Sequence, residues 1–411
     1  MTSLTPTQSL ALAIGCIAYL LIVRALRFQR RDALLCRFGY GTVKPMGAMT
    51  FEDAASIHHE LAEMEFPFSF LNSMEFALFR TYGIPSISSL LVSTKQLTST
   101  DIIPKRLADT GVLMFEIEGS LPSSIRWLQA VARTNRIHDT YRRAGKISEE
   151  DMLYTLSLFA GEPLRWISRY EWREFTPMEK AAIGTFWKGV GDAMHVDYAA
   201  LPSCDQGWED GAHWLDEILL WGEAYEQTAM VPHENNHKLA CASLNYILWP
   251  VPKRFVATGY CAFQSLMDDR LTKAVMLEKP PQFFYTFTQI VLACRRVILR
   301  HLALPRPEMW RTRYIDDTSN THGRYNTKIY GGLPIYVKDD FAARWNLQAW
   351  IFWALGKPIP GDHGDAYLPQ GYDLREVGPR GLVPDGNEAA QNLKDEMLPK
   401  GACPFRVKTT Q

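Results

Sequence analysis

Fourteen consecutive uncharged residues, Leu10 to Val23 (LALAIGCIAYLLIV), constrain this chain more than anything that follows. Gln8 and Ser9 extend the run on one side, and Ala25 and Leu26 extend it beyond Arg24. A bilayer-spanning helix needs roughly 17–25 mostly apolar residues. Residues 10–26 reach that range if Arg24 bends its guanidinium toward the headgroups. The first nine residues hold no Lys or Arg, whereas Arg24, Arg27, Arg30 and Arg31 follow the run. Basic residues stay on the cytoplasmic side of a membrane. The pattern therefore predicts a short lumenal tail (1–9), a single-pass anchor (10–26) and a cytosolic body. A cleaved signal peptide would carry its basic residues before the apolar run and a small-residue cleavage site after it. Here the basic cluster lies on the other side.

The remainder reads as a helical globular chain. Net charge is −1 over 411 residues and 47% are apolar, which suits a folded body and lacks the clustered basic excess of a nucleic-acid binder. Residues 27–50 read as a basic juxtamembrane linker. From 51 to 356 helical signals dominate. Thr50 with Asp53, Ser148 with Asp151 and Thr176 before Pro177 are N-terminal caps. Pro104 and Pro122 stand where helices 104–118 and 122–143 would begin, since a first-turn proline loses no hydrogen bond. Further helices are expected over 70–81, 148–170, 176–194, 209–229, 254–278, 282–302 and 340–355. Strand-like alternation is scarce, so the fold class is all-α around one continuous core. From 357 to 411, Pro and Gly punctuate a loop-rich extension, with Tyr367, Leu368 and Tyr372 as anchors onto the body. The segment with Trp345, Trp350 and Trp353 reads first as a core helix. The alternative is a face against the bilayer surface, where indoles gather.

Few side chains stand in a setting that suggests chemistry. His138 shares a helical stripe with Trp127 and Val131, within about 20° at 100° per residue. Arg142 lies one turn on. Such a face can offer an axial ligand to haem iron and a cation to a propionate. It can equally be a buried, hydrogen-bonded histidine beside a structural arginine, and pattern alone favours that plainer reading. Arg106, Asp109 and Thr110 share a face of the preceding helix at i, i+3 and i+4. They form either a structural ion pair or a polar cluster that positions dioxygen and moves a proton.

Other groupings lead nowhere. His233, Glu234 and His237 sit in polar PHENNHK, a loop or helix start, and miss the HExxH spacing by one position. His58 and His59 point in different directions and read as surface residues. The pairs Asp268-Asp269, Asp316-Asp317 and Asp339-Asp340 lack a third carboxylate at the spacing needed to hold magnesium. The seven cysteines are scattered and include no CxxC, as expected of reduced thiols. Phosphate-binding and nucleophile-elbow motifs are missing from the sequence.

Several blocks together carry a resemblance: EFPFSFLNSMEFALFRTYGIPSIS (65–88), Lys105 to Thr110, VARTNRIHDTYRRAGKI (131–147), DMLYTLSLFAGEPLRWISRYEWR (151–173), AIGTFWKGVGDAM (182–194), MDDRLTKA (267–274) and KPIPGDHGDAYLPQGY (357–372). In these the chain resembles the fungal ER-bound oxygenases of the MpaB family. That family is grouped with the bacterial latex-clearing proteins, or rubber oxygenases, in a haem-dependent superfamily. The resemblance implies haem b held through a histidine in an H-x-x-x-R pattern, which His138 and Arg142 match. It implies a distal R-x-x-K-T cluster, which Arg106, Asp109 and Thr110 match except that Asp109 replaces the lysine. A carboxylate cannot donate a hydrogen bond to dioxygen, but it can accept an allylic proton.

The implied function is oxidative cleavage of a C=C bond in the isoprenoid chain of a lipophilic prenylated metabolite, such as a farnesylated aromatic. Dioxygen and the ER bilayer would be its other partners. Two rivals stand beside it. One is a membrane-tethered lipid-binding scaffold without cofactor. The other is a non-haem iron oxygenase using Glu209 with His213 and Glu234 with His237, although no second ExxH completes such a set.

Overall fold

The computed structural model describes residues 5–94, 102–379, 382–386, 388–397 and 403–405. Helix α1, Pro6–Leu26, opens on a reciprocal cap in which the Thr5 hydroxyl accepts from the Gln8 amide and the Gln8 side chain accepts from the Thr5 amide. It is long and apolar enough to cross a membrane, and Val23 is its one buried residue. After a short turn α2, Gln29–Phe38, continues the path. The stretch expected to be a linker is thus largely helical and tied to the body. Arg27 is buried, with its guanidinium 3.9 Å above the Trp172 ring. The Phe28 ring lies 5.4 Å from the same indole. Arg30 pairs with Glu65 at 3.3 Å and donates to the Arg306 carbonyl at 2.6 Å.

The body is an assembly of helices, with only isolated bridges and no strand among the described residues. Helix α3, Phe51–Glu60, runs through a wide turn at Leu61–Glu65 into α4, Pro67–Thr81. Then come α5, Pro85–Ser93; α6, Ile103–Gly119; α7, Ile125–Arg143; α8, Glu149–Tyr170; and α9, Pro177–Ala193. The second half holds α10, Gly211–Ala229; α11, Glu234–Ile247; α12, Val256–Gln264; α13, Asp269–Ala274; and α14, Gln282–His301. Short α15, Phe341–Arg344, and α16, Leu347–Ala354, precede α17, Glu388–Met397.

Helix α8 is the axis, packed against α4, α9 and α10. It is buried on several sides because apolar residues cover most of its circumference. Met152, Leu156, Ala160 and Ile167 join the main core, while Tyr154, Leu158 and Trp166 join a second cluster with Phe76, Phe79, Leu239 and Leu271. The single expected core is therefore divided by α4 and α8. Helices α9 and α10 cross at van der Waals distance: a Cβ on Gly184 would fall 1.8 Å from the Gly211 carbonyl oxygen. Only glycine permits that approach.

Several expected boundaries move because a polar cap outcompetes a proline. Helix α7 begins at Ile125, capped by Ser124, and Pro122 stays in the preceding turn. The single helix expected over 254–278 breaks into α12 and α13, with Asp268 capping the second through the Leu271 amide. Residues 340–355 likewise form α15 and α16, with Asn346 capping α16. There the core reading of the tryptophans is overturned. Ala349 and Phe352 face inward, whereas Trp350 and Trp353 are 49% and 56% exposed. The caps at Thr50, Ser148 and Thr176 form as expected. The C-terminal extension lies on the body: Tyr372, Leu374 and Val377 are in the main core, and α17 packs on α7.

Candidate functional site

Helices α6 and α7 pack together and carry the expected site residues. His138 sits in the last third of α7. Its Nδ1 is buried without a hydrogen-bond partner among the described residues. Burial pushes its pKa down to about 4, and the nearby charges of Arg106 and Arg142 add to the effect. The imidazole is therefore neutral at physiological pH, which is the ligating form.

Arg106 is close enough to be felt by His138, and burial lowers its own pKa. Among the described residues its guanidinium bonds only the Thr110 hydroxyl, at 3.1 Å. Thr110 in turn donates to the Arg106 carbonyl at 3.0 Å, which holds the pair along one turn of α6. A guanidinium stays charged at any ordinary pH. Here it sits half-buried without a carboxylate in hydrogen-bond contact among the described residues.

The other two expected residues are turned to different partners. Arg142 makes a forked bond to Glu149 at 2.8 Å and reaches the His195 carbonyl at 3.1 Å. Asp109 is 2% exposed and accepts from Lys105 at 2.8 Å and from the Tyr336 hydroxyl at 2.8 Å. Tyr336 adopts a left-handed backbone, φ 65°, so its loop is held against α6 at a conformational cost. Sequence reasoning did not bring in Lys105 or Tyr336. Lys105 was legible as the i−4 partner of Asp109. Tyr336 lies 227 residues away and left no local signal.

A second buried polar group surrounds His58, which the structure places in the core and not on the surface. His58 is fully buried and stacks on Phe186 at 4.3 Å, with neither ring nitrogen hydrogen-bonded. The apolar residues of α3 and α9 carry it inward because it shares their face. The Nε2 of His58 lies 3.9 Å from a Glu118 carboxyl oxygen. Burial lowers the His58 pKa and raises that of Glu118 to about 8, so the contact joins two neutral groups and is not an ion pair. His59 also hides a ring nitrogen, and burial takes its pKa to about 4.

A polar cavity of about 460 Å³ lies elsewhere, lined by Arg80, Glu162, Arg165, Glu226, Asp268 and Arg270. Its charges are matched: Arg80 makes two 2.7 Å bonds to Glu226 and also meets Asp268, and Arg165 holds Glu162 at 2.8 Å. This is an ion-pair network joining α4, α8, α10 and the start of α13. The residues of the non-haem alternative are dispersed. His213 binds Glu217 at 3.1 Å, and His237 Nδ1 lies 3.0 Å from the Val275 carbonyl. Among the described residues no group of three or more His, Cys, Asp or Glu side chains is arranged to hold a metal ion.

The chain was compared with known proteins. It is 40% identical over 402 residues to "ER-bound oxygenase mpaB'" of Penicillium brevicompactum, covering 97% of this chain and 95% of the relative. It is 37% identical over 390 residues to "ER-bound oxygenase mpaB" of the same organism, covering 95% and 90%. A protein of the same name from Penicillium roqueforti (strain FM164) is 42% identical over 273 residues, covering 66% of this chain and 92% of the relative. No family model matches the chain.

Proposed function

From the membership of this chain in the MpaB family of ER-bound oxygenases, we propose that it is a haem-dependent oxygenase that cleaves a C=C bond in the isoprenoid chain of a lipophilic prenylated metabolite. The observation that supports this reading is a half-buried, neutral His138 whose Nδ1 has no hydrogen-bond partner, within electrostatic reach of a half-buried Arg106 that bonds no carboxylate among the described residues. These residues fit haem b. His138 would hold the iron through a ring nitrogen, and Arg106 would meet a propionate or a polar oxygen of the substrate. Haem, when bound, supplies the chemistry that activates dioxygen.

The chain's own side chains do the rest. Thr110 fixes the Arg106 rotamer through their paired hydrogen bonds. Arg142, through Glu149 and the His195 carbonyl, locks the last turn of α7 and with it the direction of His138. Asp109 is the proposed proton acceptor, with Lys105 supplying beside it the cation that the rubber-oxygenase pattern carries at position 109 itself. Tyr336, which donates to Asp109, is the group through which a proton would reach that carboxylate.

Helix α1 is the proposed anchor in the ER membrane, with the body in the cytosol. Arg24 carries that orientation most directly, since Arg27, Arg30 and Arg31 are engaged by Trp172, Glu65 and Asp32. A prenylated substrate partitions into the same bilayer, so tethering raises its local concentration at the body.

The absorption spectrum of the detergent-purified full chain, with and without His138→Ala, tests the reading. A Soret band in the wild type that is lost in the variant is the expected result. A folded wild type that shows no Soret band after haem supplementation refutes the haem assignment and leaves a cofactor-free, membrane-tethered lipid binder.

A further inference from the structure

Helix α14 has three faces. At about 100° per residue, Thr288, Leu292, Arg295 and Leu299 share one side. This side meets the body: Thr288 lies 2.8 Å from the Ser265 hydroxyl, Arg295 bonds Glu171 at 2.9 Å and lies over the Phe68 ring, and Leu299 touches the main core. A second side carries Gln289, Arg296 and Arg300, which are exposed. Arg296 has no hydrogen-bond or ion-pair partner among the described residues.

The third side is apolar and also exposed. Phe283, Phe287, Ile290, Val291, Val297 and Ile298 fall within an arc of about 120° and continue over four turns. Phe283 is 66% exposed and Val297 is 53% exposed. Burying one such side chain stabilises by roughly 1.5–3 kcal/mol. A soluble helix that leaves six of them in water forfeits that stabilisation along its whole length.

What covers this face is indicated by α1. The Tyr19 hydroxyl donates to the Leu302 carbonyl at 2.7 Å, just past the end of α14. Tyr19 lies seven residues before the end of α1, or about 10 Å along its axis. Val23, one turn further, is packed into the body. The last turn of α14 thus stands beside α1 close to the level at which α1 enters the body. Interfacial helices bury their apolar face about 5–10 Å into the headgroup and acyl boundary, with basic residues on the polar face. Arg296 and Arg300 occupy that polar face.

We infer that the apolar face of α14 lies in the membrane interface beside α1, giving the body a second lipid contact. The inference rests on α1 being the membrane anchor. Its occupant is the acyl boundary of a bilayer, and not a second copy of the chain, because α14 is in contact with α1 and is bonded to it through Tyr19 and Leu302.

Two native cysteines separate the two ideas. Cys16 is exposed on α1 and Cys294 is exposed in the apolar arc of α14. In the full chain, Cys16→Ser/Cys36→Ser leaves Cys294 as the exposed thiol, and Cys36→Ser/Cys294→Ser leaves Cys16. An environment-sensitive fluorophore is attached to each, with the site checked by mass spectrometry, and the protein is placed in phosphatidylcholine–phosphatidylserine vesicles. A control carries its label at Arg296→Cys in a background without the three exposed thiols. Nitroxide lipids labelled high on the acyl chain should quench the Cys294 probe about twofold or more above the control. Lipids labelled near the methyl end should quench the Cys16 probe.

Quenching at Cys16 but only control-level quenching at Cys294 overturns the inference and spares the anchor. Quenching at Cys294 without quenching at Cys16 supports the lipid contact and removes the span. Shielding of Cys294 without lipid quenching, together with a Cys294 cross-link between chains, overturns it in favour of a dimer face. Control-level quenching at both sites refutes both ideas.

Discussion

Glu226→Gln probes the most heavily loaded ion pair in the body. In the wild type Glu226 accepts two bonds from Arg80 and one, at 2.9 Å, from the Tyr154 hydroxyl. Arg80 is held by three helices and has little water to fall back on. The amide keeps one acceptor but turns its NH2 group toward Arg80 in either orientation, because Tyr154 shares with Arg80 the oxygen it bonds. Breaking a buried pair costs about 3–5 kcal/mol, and the lower end applies because Asp268 remains beside Arg80. At about 2.1 cal/mol/K per residue, the roughly 380 residues after α1 give an unfolding entropy near 0.8 kcal/mol/K. A loss of 3 kcal/mol then lowers Tm by about 4 °C. Circular dichroism of the full chain in detergent during heating reads this out at fixed pH. Arg80→Met/Glu226→Gln should melt above Glu226→Gln alone, because the double change leaves no buried charge stranded: Glu162 keeps Arg165 and the Asp268 carboxylate is 42% exposed. A single variant within about 1 °C of wild type, or a double variant that melts lower than the single, refutes the reasoning.

Three further outcomes are expected. Gly184→Ala pushes a methyl group into the Gly211 carbonyl and should lower Tm more than the Glu226 change, or prevent folding, as judged by circular dichroism. Stability should fall on both sides of neutrality. His58 and His59 have folded pKa values below 6.5, so their contribution is complete above that value and is lost as pH falls toward 4. Glu118 is raised by burial to about 8, so its contribution is present at low pH and is lost as pH rises through that value. A Tm flat from pH 4 to 9 would contradict both signs. Asp109→Asn should keep the fold, since the amide can still accept from Tyr336, and should retain any Soret band while losing turnover. Full turnover in that variant removes the proton-acceptor role.

Legibility followed the range of the interaction. Thr50, Ser148 and Thr176 act on amides three residues away, and each cap stands where the sequence puts it. The apolar run of α1 needs no partner to be recognised. By contrast, Ser124, Asp268 and Asn346 cut or shifted helices that periodicity would have carried through, since a single cap is a weak signal inside a long apolar pattern. His58 was misplaced because one histidine among apolar neighbours does not reveal which way the helix turns.

At the candidate site, the chain order alone sets Arg106 beside Thr110 and puts His138 on an apolar stripe, because helical spacing is local. It also determines a first helix long and apolar enough to cross a membrane, the all-α class and the family. Only the tertiary structure decided that Arg106 approaches His138 without a carboxylate bonded to it, while Arg142 is taken by Glu149 and Asp109 by Lys105 and Tyr336. It alone decided that α14 and α16 turn apolar faces outward. Apolar periodicity states that a helix has a face to bury. Whether protein or lipid covers that face depends on neighbours hundreds of residues away, and those are placed only when the chain folds.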